Sequence, residues 1–232
     1  MASYKGHSLF ALILSLLFFQ NPLLIALTVI GANIPDFDHD FKKDNVYEII
    51  ILGLIIFIIL YILKQPPYIG LIIVFLGVTF YFSKHRSFTH SIFGVLTLTS
   101  ATSLIIIGGL ELINTLTPLN NNYLAISILI ILLSFIFVNR KILIIFIPLL
   151  LISLIILPQT GISYLKIVFG LFLGLLSHVV LDSFTPSGIK LFAPLSSKKV
   201  YKKFGIVMII ILLITSLVYN FDLILNLIKY LK

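Results

Sequence analysis

The chain has 232 residues, 60% of them hydrophobic, and its mean hydropathy of +1.20 lies far above the range of soluble proteins. It contains no cysteine, which excludes disulfides, thiolate metal ligands and thiol catalysis. The formal net charge is +8, but most lysines and arginines stand in short loops between apolar segments. There they are expected to set membrane orientation and to contact anionic membrane lipid, and no nucleic-acid partner is expected.

The apolar segments predict an all-α, polytopic helical membrane protein that begins with a short helical hairpin. Residues 8–19 and 23–34 are separated by Gln20-Asn21-Pro22, a turn signal whose proline suits the first position of a new helix. Each arm is about 18 Å long, too short to span the bilayer alone. The hairpin returns Asp36 to the membrane face where His7 starts, whereas a single helix would place them on opposite faces.

About seven further transmembrane helices are expected along the rest of the chain. Their predicted bounds are residues 46–63, 68–82, 91–113, 124–138, 142–157, 164–182 and 204–228. No polar stretch is long enough to bury a separate core, so residues 1–232 are predicted to be a single integral membrane domain. The motifs described below lie in residues 1–194, and residues 204–228 form the C-terminal transmembrane helix.

Counting these crossings predicts that the ionisable motifs share one membrane face. Two crossings separate Asp36 from His85, and four separate His90 from His178. The same face carries most of the basic loop residues, which by the positive-inside bias makes it cytoplasmic. The expected localisation is therefore the inner (cytoplasmic) cell membrane, multi-pass, with the motifs facing the cytoplasm.

All five histidines fall in four short motifs: GH at 6–7, PDFDH at 35–39, HRSFTHS at 85–91 and SHVVLD at 177–182. Ionisable side chains at the edges of apolar segments are costly to place and usually mark a site. Carboxylate oxygens and imidazole nitrogens without thiolate suit Zn, Mn, Fe or Mg at a hydrolytic centre. The motifs therefore predict a site for a divalent metal ion.

Spacing within the motifs suggests how they present their side chains. In an extended segment Asp36 and Asp38 would point to one side and His39 to the other. His178 and Asp182 are four residues apart, which places them on one helical face, one turn from each other. This pair is open to a second interpretation as a buried structural contact.

The HRSFTHS motif adds features that suit an anion. Thr89 or Ser91 is expected to cap the following helix, whose N-terminal N–H groups would then face a bound anion. Arg86 offers a forked donor for phosphate or carboxylate, although a topogenic or lipid-facing role is equally open. An anionic, phosphorylated substrate at a metal centre would use all these parts.

In this order the motifs resemble the YdjM-like family, described as LexA-binding, inner-membrane-associated hydrolases and as membrane-bound metal-dependent hydrolases. The last motif runs from Gly174 through SHVVLD and continues as SFTPSG at 183–188, with Pro194 beyond. The resemblance covers residues 1 to about 194, and Ser87 replaces the usual glycine. It implies a metal-dependent hydrolase with its site at the cytoplasmic face. The link to LexA belongs to particular members and is not carried over.

The leading hypothesis is a membrane-embedded, metal-dependent hydrolase acting on an anionic small molecule, a phosphoester or a lipid-like substrate. The predicted ligands of a Zn, Mn or Fe ion are His7, Asp36, Asp38, His90, His178 and Asp182. The predicted catalytic residues are Asp38, His39, His85 and Arg86. The alternative is a metal-ion or proton-coupled transporter using the same cluster, although transporter sites usually lie near the membrane midplane. A structural protein that only binds metal is a third possibility.

Overall fold

The computed structural model describes residues 3–38, 43–117, 122–157 and 161–221, and the regular structure in these ranges is helical. Short 3-10 turns at Pro35–Asp38 and Phe88–His90 precede the third and fifth helices, and Ile189 pairs with Val200 in an isolated antiparallel bridge. The α-helices of the described ranges, in chain order, are α1 (Tyr4–Leu16), α2 (Pro22–Gly31), α3 (Lys43–Ile62), α4 (Tyr68–Phe82), α5 (Ile92–Leu116), α6 (Asn122–Phe137), α7 (Arg140–Ile156), α8 (Tyr164–Asp182) and α9 (Lys202–Tyr219).

Three helices of the described residues are long and apolar enough to cross a membrane, namely α5, α8 and α9. Helices α4, α6 and α7 have 15, 16 and 17 residues. At 1.5 Å per residue they are about 22–26 Å long, which is less than the roughly 30 Å of bilayer hydrocarbon. The apolar part of α3, Val46–Ile62, is also among the shorter helices. The expectation of about seven further transmembrane helices is therefore wrong, because it counted each apolar run as a crossing. Residues 222–228 of the expected last helix lie outside the described ranges.

Helices α1 and α2 form the short hairpin expected at the N-terminus. Asn21 caps α2 by accepting the Leu23 N–H at 2.9 Å, and Pro22 stands at the first helical position. At the open end of the hairpin the buried Asn33 amide donates to the Ser8 hydroxyl at 2.9 Å. The arms have 13 and 10 residues. The first arm begins at Tyr4, four residues earlier than the pattern predicts.

The centre of the fold is the contact between α2 and α8, which two glycines make possible. A Cβ on Gly31 would lie 2.7 Å from the Leu171 carbonyl oxygen, and a Cβ on Gly174 would overlap the Thr28 carbonyl oxygen. Without those Cβ atoms the two backbones touch, as in small-residue contacts between membrane helices. This close approach holds the end of α8 against the end of α2, where the polar motifs lie.

Candidate metal centre

Four segments bring their ionisable side chains to one end of the helix assembly. They are the start of α1, the turn before α3, the segment that joins α4 to α5, and the end of α8. Contacts among them connect eight of the nine predicted site residues: His7, Asp36, Asp38, His85, Arg86, His90, His178 and Asp182. The ninth, His39, lies outside the described residues.

His178 is completely buried, and its orientation is fixed by the backbone of α2. Its Nδ1–H donates to the Ala32 carbonyl at 2.6 Å, across the glycine contact described above. A neutral imidazole carries one N–H, so this bond leaves a lone pair on Nε2. Anchoring one ring nitrogen in this way is how proteins orient a histidine that binds metal through the other.

His90 is also buried, and its Nε2 lies 3.1 Å from Nε2 of His178. On the other side of the ring, Thr89 donates its hydroxyl hydrogen to Asp38, so its oxygen accepts from His90 Nδ1 at 3.0 Å. The two Nε2 lone pairs therefore face each other, and they need a cation between them, either a proton or a metal ion. Two nitrogen ligands of a tetrahedral zinc ion lie about 3.3 Å apart. The observed separation fits that geometry.

Two carboxylates complete the donor set around this pair of histidines. Asp182 Oδ2 lies 3.5 Å from His90 Nε2 and 3.9 Å from His178 Nε2, while Asp36 Oδ1 lies 3.7 Å from His178 Nε2. Within the described residues, two triads have donor atoms that can hold a metal ion: Asp36, His90 and His178, and His7, His178 and Asp182. Both triads include His178, whose Nδ1 donates to Ala32 and whose Nε2 offers a single lone pair, so the two triads belong to one ion site rather than to two.

His7 lies parallel to His178, with ring centroids 3.8 Å apart and planes inclined by 10°. Its Nε2 is 3.5 Å from Asp182 Oδ1, and its buried Nδ1 has no hydrogen-bond partner among the described residues. The stacking fixes the plane of the His178 ring, and the contact with Asp182 turns that carboxylate towards the cluster.

Asp38 faces His85 and Thr89 rather than the two facing Nε2 atoms. Its Oδ1 lies 2.8 Å from His85 Nδ1, its Oδ2 accepts from Thr89, and His90 Nδ1 is 3.5 Å away. Burial favours a higher pKa for the Asp38 carboxyl, but the bonds from His85, His90 and Thr89 outweigh it and hold the pKa below its usual range. The Asp38 carboxyl is therefore ionised and serves to orient the rings beside it.

The pKa of His90 is raised, whereas that of Asp38 is lowered. Burial alone would lower the His90 pKa, but the bond to Asp38 and the negative charges of Asp38, Asp182 and Asp36 raise it above the usual value. A positive charge at the centre of the cluster is therefore stabilised by the carboxylates around it.

The turn at Pro35–Asp38 explains why Asp36 and Asp38 have different partners. The extended geometry expected from their spacing is wrong, because the segment is a 3-10 turn. With three residues per turn, side chains two positions apart point about 120° away from each other. Asp36 therefore faces His178, whereas Asp38 faces His85.

Arg86 reaches across the site to the segment after α8. Its Nη1 donates to Thr185 Oγ1 at 2.9 Å and its Nη2 to Asp182 Oδ1 at 3.4 Å. Its buried Nε has no acceptor among the described residues. The backbone of Arg86 has φ of +59°, a region that non-glycine residues seldom occupy and that is found mostly where surrounding contacts impose it.

Two N–H groups near the N-terminus of α5 are bonded within the protein. Ser91 caps the helix by accepting the Gly94 N–H at 3.1 Å, as its position predicts. The Ile92 N–H, however, donates to the Leu191 carbonyl at 2.9 Å. These two groups already have protein acceptors, so they are not available to an anion.

Three contributors to the site were missed or misjudged from sequence: Ala32, Thr89 as a partner of Asp38, and Thr185. Thr89 and Thr185 stand inside the motifs, and that position is the signal that points to them. Ala32 contributes only a backbone carbonyl, which leaves no trace in the sequence.

Fold and site together define a helical membrane protein with a buried His/Asp cluster whose donor atoms can hold a metal ion. The family described as YdjM inner membrane protein matches residues 1–229, and the chain belongs to that family. Membrane localisation follows from the family and from the apolar helices. No curated protein and no solved structure matches the chain.

Proposed function

We propose that this protein is a membrane-embedded, metal-dependent hydrolase whose single divalent ion is held by Asp36, His90, His178 and Asp182. The observation that carries the proposal is the pair of facing Nε2 atoms 3.1 Å apart, each on a ring anchored through its other nitrogen. Imidazole and carboxylate ligands suit Zn, Mn or Fe. When bound, such an ion acts as a Lewis acid that polarises a substrate oxygen and makes water a better nucleophile.

The residues around the donor set prepare it for that ion. The Ala32 carbonyl holds the His178 tautomer, and Asp38 with Thr89 holds the His90 ring. Such contacts keep ligands in position before the ion arrives. His90 and His178 are fully buried, so competing water is excluded from this side of the site.

Arg86 and His85 lie beside the proposed ion site, where they would bind the anionic substrate and transfer a proton. The Arg86 guanidinium is fixed by Thr185 and Asp182 and is permanently charged, so it can bind an anionic phosphoester. His85 is only half-buried and is oriented by Asp38 at Nδ1, which suits proton transfer to or from a substrate. A lipid-like phosphoester reached from the cytoplasmic leaflet is the substrate class we propose.

A cytoplasmic orientation is part of the proposal. The end of the molecule that carries the site has Lys84, Arg86 and Lys190 in its loops and Arg140 and Lys141 in the first turn of α7. The positive-inside bias places such loops in the cytoplasm.

Metal content tests the proposal directly. We would measure Zn, Mn and Fe by elemental analysis of the detergent-purified protein, together with Asp38→Ala, His178→Ala and, as a control, Glu111→Ala. Glu111 lies in α5 away from the cluster and contacts Tyr68. We expect stoichiometric metal in the wild type and in Glu111→Ala, loss of metal from His178→Ala, and weakened metal binding in Asp38→Ala, with helical circular dichroism retained in all of them.

Absence of transition metal from the wild type, even after reconstitution with each ion, would overturn the proposal and favour a proton-coupled carrier. If metal is present, Arg86→Lys separates the two remaining functions. A hydrolase of anionic phosphoesters should keep its metal and show a raised KM, because lysine cannot reproduce the forked contacts. Metal flux into vesicles without hydrolysis would instead indicate a transporter.

A further inference from the structure

The segment between α8 and α9, residues 183–201, must lie at the membrane surface. Helix α8 ends at Asp182 and α9 begins at Lys202, and both are long and apolar enough to cross the bilayer. Asp182 also belongs to the candidate metal centre. The segment therefore lies on the same side of the membrane as that centre, and we call it the basic loop.

One face of the basic loop is fixed to the protein. Ile189, Leu191 and Ala193 alternate along it and are buried. Ile189 also exchanges two backbone hydrogen bonds with Val200, of 3.1 and 2.9 Å, and Leu191 accepts the Ile92 N–H. The loop is therefore an ordered surface with a defined outer side.

The outer side combines large apolar side chains with a single sign of charge. Phe192 is 48% exposed, Leu195 79% and Tyr201 50%. No acidic residue occurs between residues 183 and 203, a stretch that contains five lysines: Lys190, Lys198, Lys199, Lys202 and Lys203. Exposed apolar groups beside lysines would be unfavourable in water but suit the boundary between headgroups and acyl chains.

We propose that the basic loop docks on the anionic headgroup layer of the membrane. Phe192 and Leu195 enter the acyl boundary, while the lysines contact lipid phosphates, to which juxtamembrane basic residues are attracted. Thr185, the partner of Arg86, belongs to the same loop. Docking therefore holds the Arg86 side of the site at the level of the lipid headgroups.

The chain has no tryptophan, so a single fluorescent reporter can be introduced without background. We would place Leu195→Trp and, separately, Phe192→Trp in the full chain, reconstituted into vesicles of phosphatidylcholine with or without phosphatidylglycerol. The vesicles would contain lipids brominated near the headgroup or near the chain end. We expect blue-shifted emission and stronger quenching by the shallow bromines, with more quenching when phosphatidylglycerol is present.

Two matched variants sharpen this experiment. Leu213→Trp, exposed on α9 about 16 Å beyond Lys202, should be quenched best by the deep bromines. Adding Lys198→Gln and Lys199→Gln to Leu195→Trp should remove the difference between the two lipid compositions.

The proposal is overturned if both loop reporters emit as water-exposed tryptophan and resist quenching by either lipid while Leu213→Trp is quenched. That result would indicate that the loop faces solvent or a protein partner. Equal quenching with and without phosphatidylglycerol would overturn the role of the lysines. The readout depends on neither metal nor activity, so its failure is distinguishable from failure of the hydrolase proposal.

Discussion

Helix pairs α2–α8 and α3–α4 are both packed through glycines, yet among the described residues only the first pair contributes side chains to the candidate site. In α2–α8, Gly31 and Gly174 bring the backbones into contact. In α3–α4, a Cβ on Gly53 would lie 2.8 Å from the Val74 nitrogen, and one on Gly70 would overlap the backbone of Phe57. The same packing device is therefore used twice in one chain, with different consequences.

The difference lies in what stands next to each glycine contact. His178 is one helical turn after Gly174, and Ala32 follows Gly31, so the close approach brings a ring nitrogen to a backbone carbonyl. Around the α3–α4 contact the neighbouring side chains are apolar, and several, such as Ile51 and Phe75, are exposed. Close helix packing therefore contributes to the site only where it brings a hydrogen-bond donor next to an acceptor, as it does for His178 and the Ala32 carbonyl.

The largest expected effect comes from Gly174→Ala. The added methyl group would overlap the Thr28 carbonyl, so α2 and α8 must separate and the bond from His178 to Ala32 must lengthen. We expect a loss of about 3 kcal/mol or more in stability and complete loss of bound metal. Thermal unfolding in detergent and elemental analysis would measure both.

Gly70→Ala is the matched control for that variant. It introduces the same methyl group at an equally tight contact, so it should destabilise the α3–α4 pair to a similar extent. The metal content of the folded fraction should remain that of the wild type. If Gly70→Ala removed the metal as completely as Gly174→Ala, the two helix pairs would not be functionally distinct.

Asp38→Asn tests the orienting role within the site region and has a smaller expected effect. It keeps the size of the side chain but removes the charge that faces His85 and His90. Loss of such an orienting carboxylate weakens metal binding by about 10–100-fold. Competition with a chelator would measure the affinity, with Tyr68→Phe, which removes a hydroxyl contact from α4, as the control.

Other outcomes for Asp38→Asn are equally informative. Complete loss of metal, as expected for His178→Ala, would make Asp38 a direct ligand. Unchanged affinity would show that Thr89 alone suffices to hold His90.

The sequence correctly predicted that the motifs lie together. That result depends only on whether each helix runs towards or away from one end of the assembly, and not on the contacts between individual side chains. The hairpin signal at Asn21-Pro22 and the alternation of apolar runs with turns place all the motifs at one end of the helix assembly. Full crossings are not required for this result, which explains why the motifs meet although the number of spanning helices was overestimated. The ends of α4 and α8, at Phe82 and Asp182, agree with the predicted bounds.

The partners of the site residues could not be predicted in the same way. That Arg86 pairs with Thr185, that the Ile92 N–H is taken by Leu191, and that Ala32 binds His178 all depend on contacts between distant segments. The 3-10 turn at Asp36 was also missed, because two acids beside a proline fit an extended segment equally well. The local sequence pattern identifies the residues of the site. The direction in which each side chain points depends on the backbone geometry, which the pattern does not reveal.

Ser8→Ala should give the smallest effect. It tests whether closure of the α1–α2 hairpin depends on the hydrogen bond between Asn33 and Ser8. The Asn33 amide donates to Ser8 and also to the Val29 carbonyl, so the variant leaves one buried N–H without its acceptor, at a cost of about 1 kcal/mol. Thr79→Ala on α4 is the control, because that hydroxyl bonds only within its own helix, to Phe75. Thermal unfolding should show a larger decrease for Ser8→Ala, with metal content unchanged in both. Equal decreases would mean that packing of the apolar arms, rather than the bond, closes the hairpin and keeps His7 beside His178.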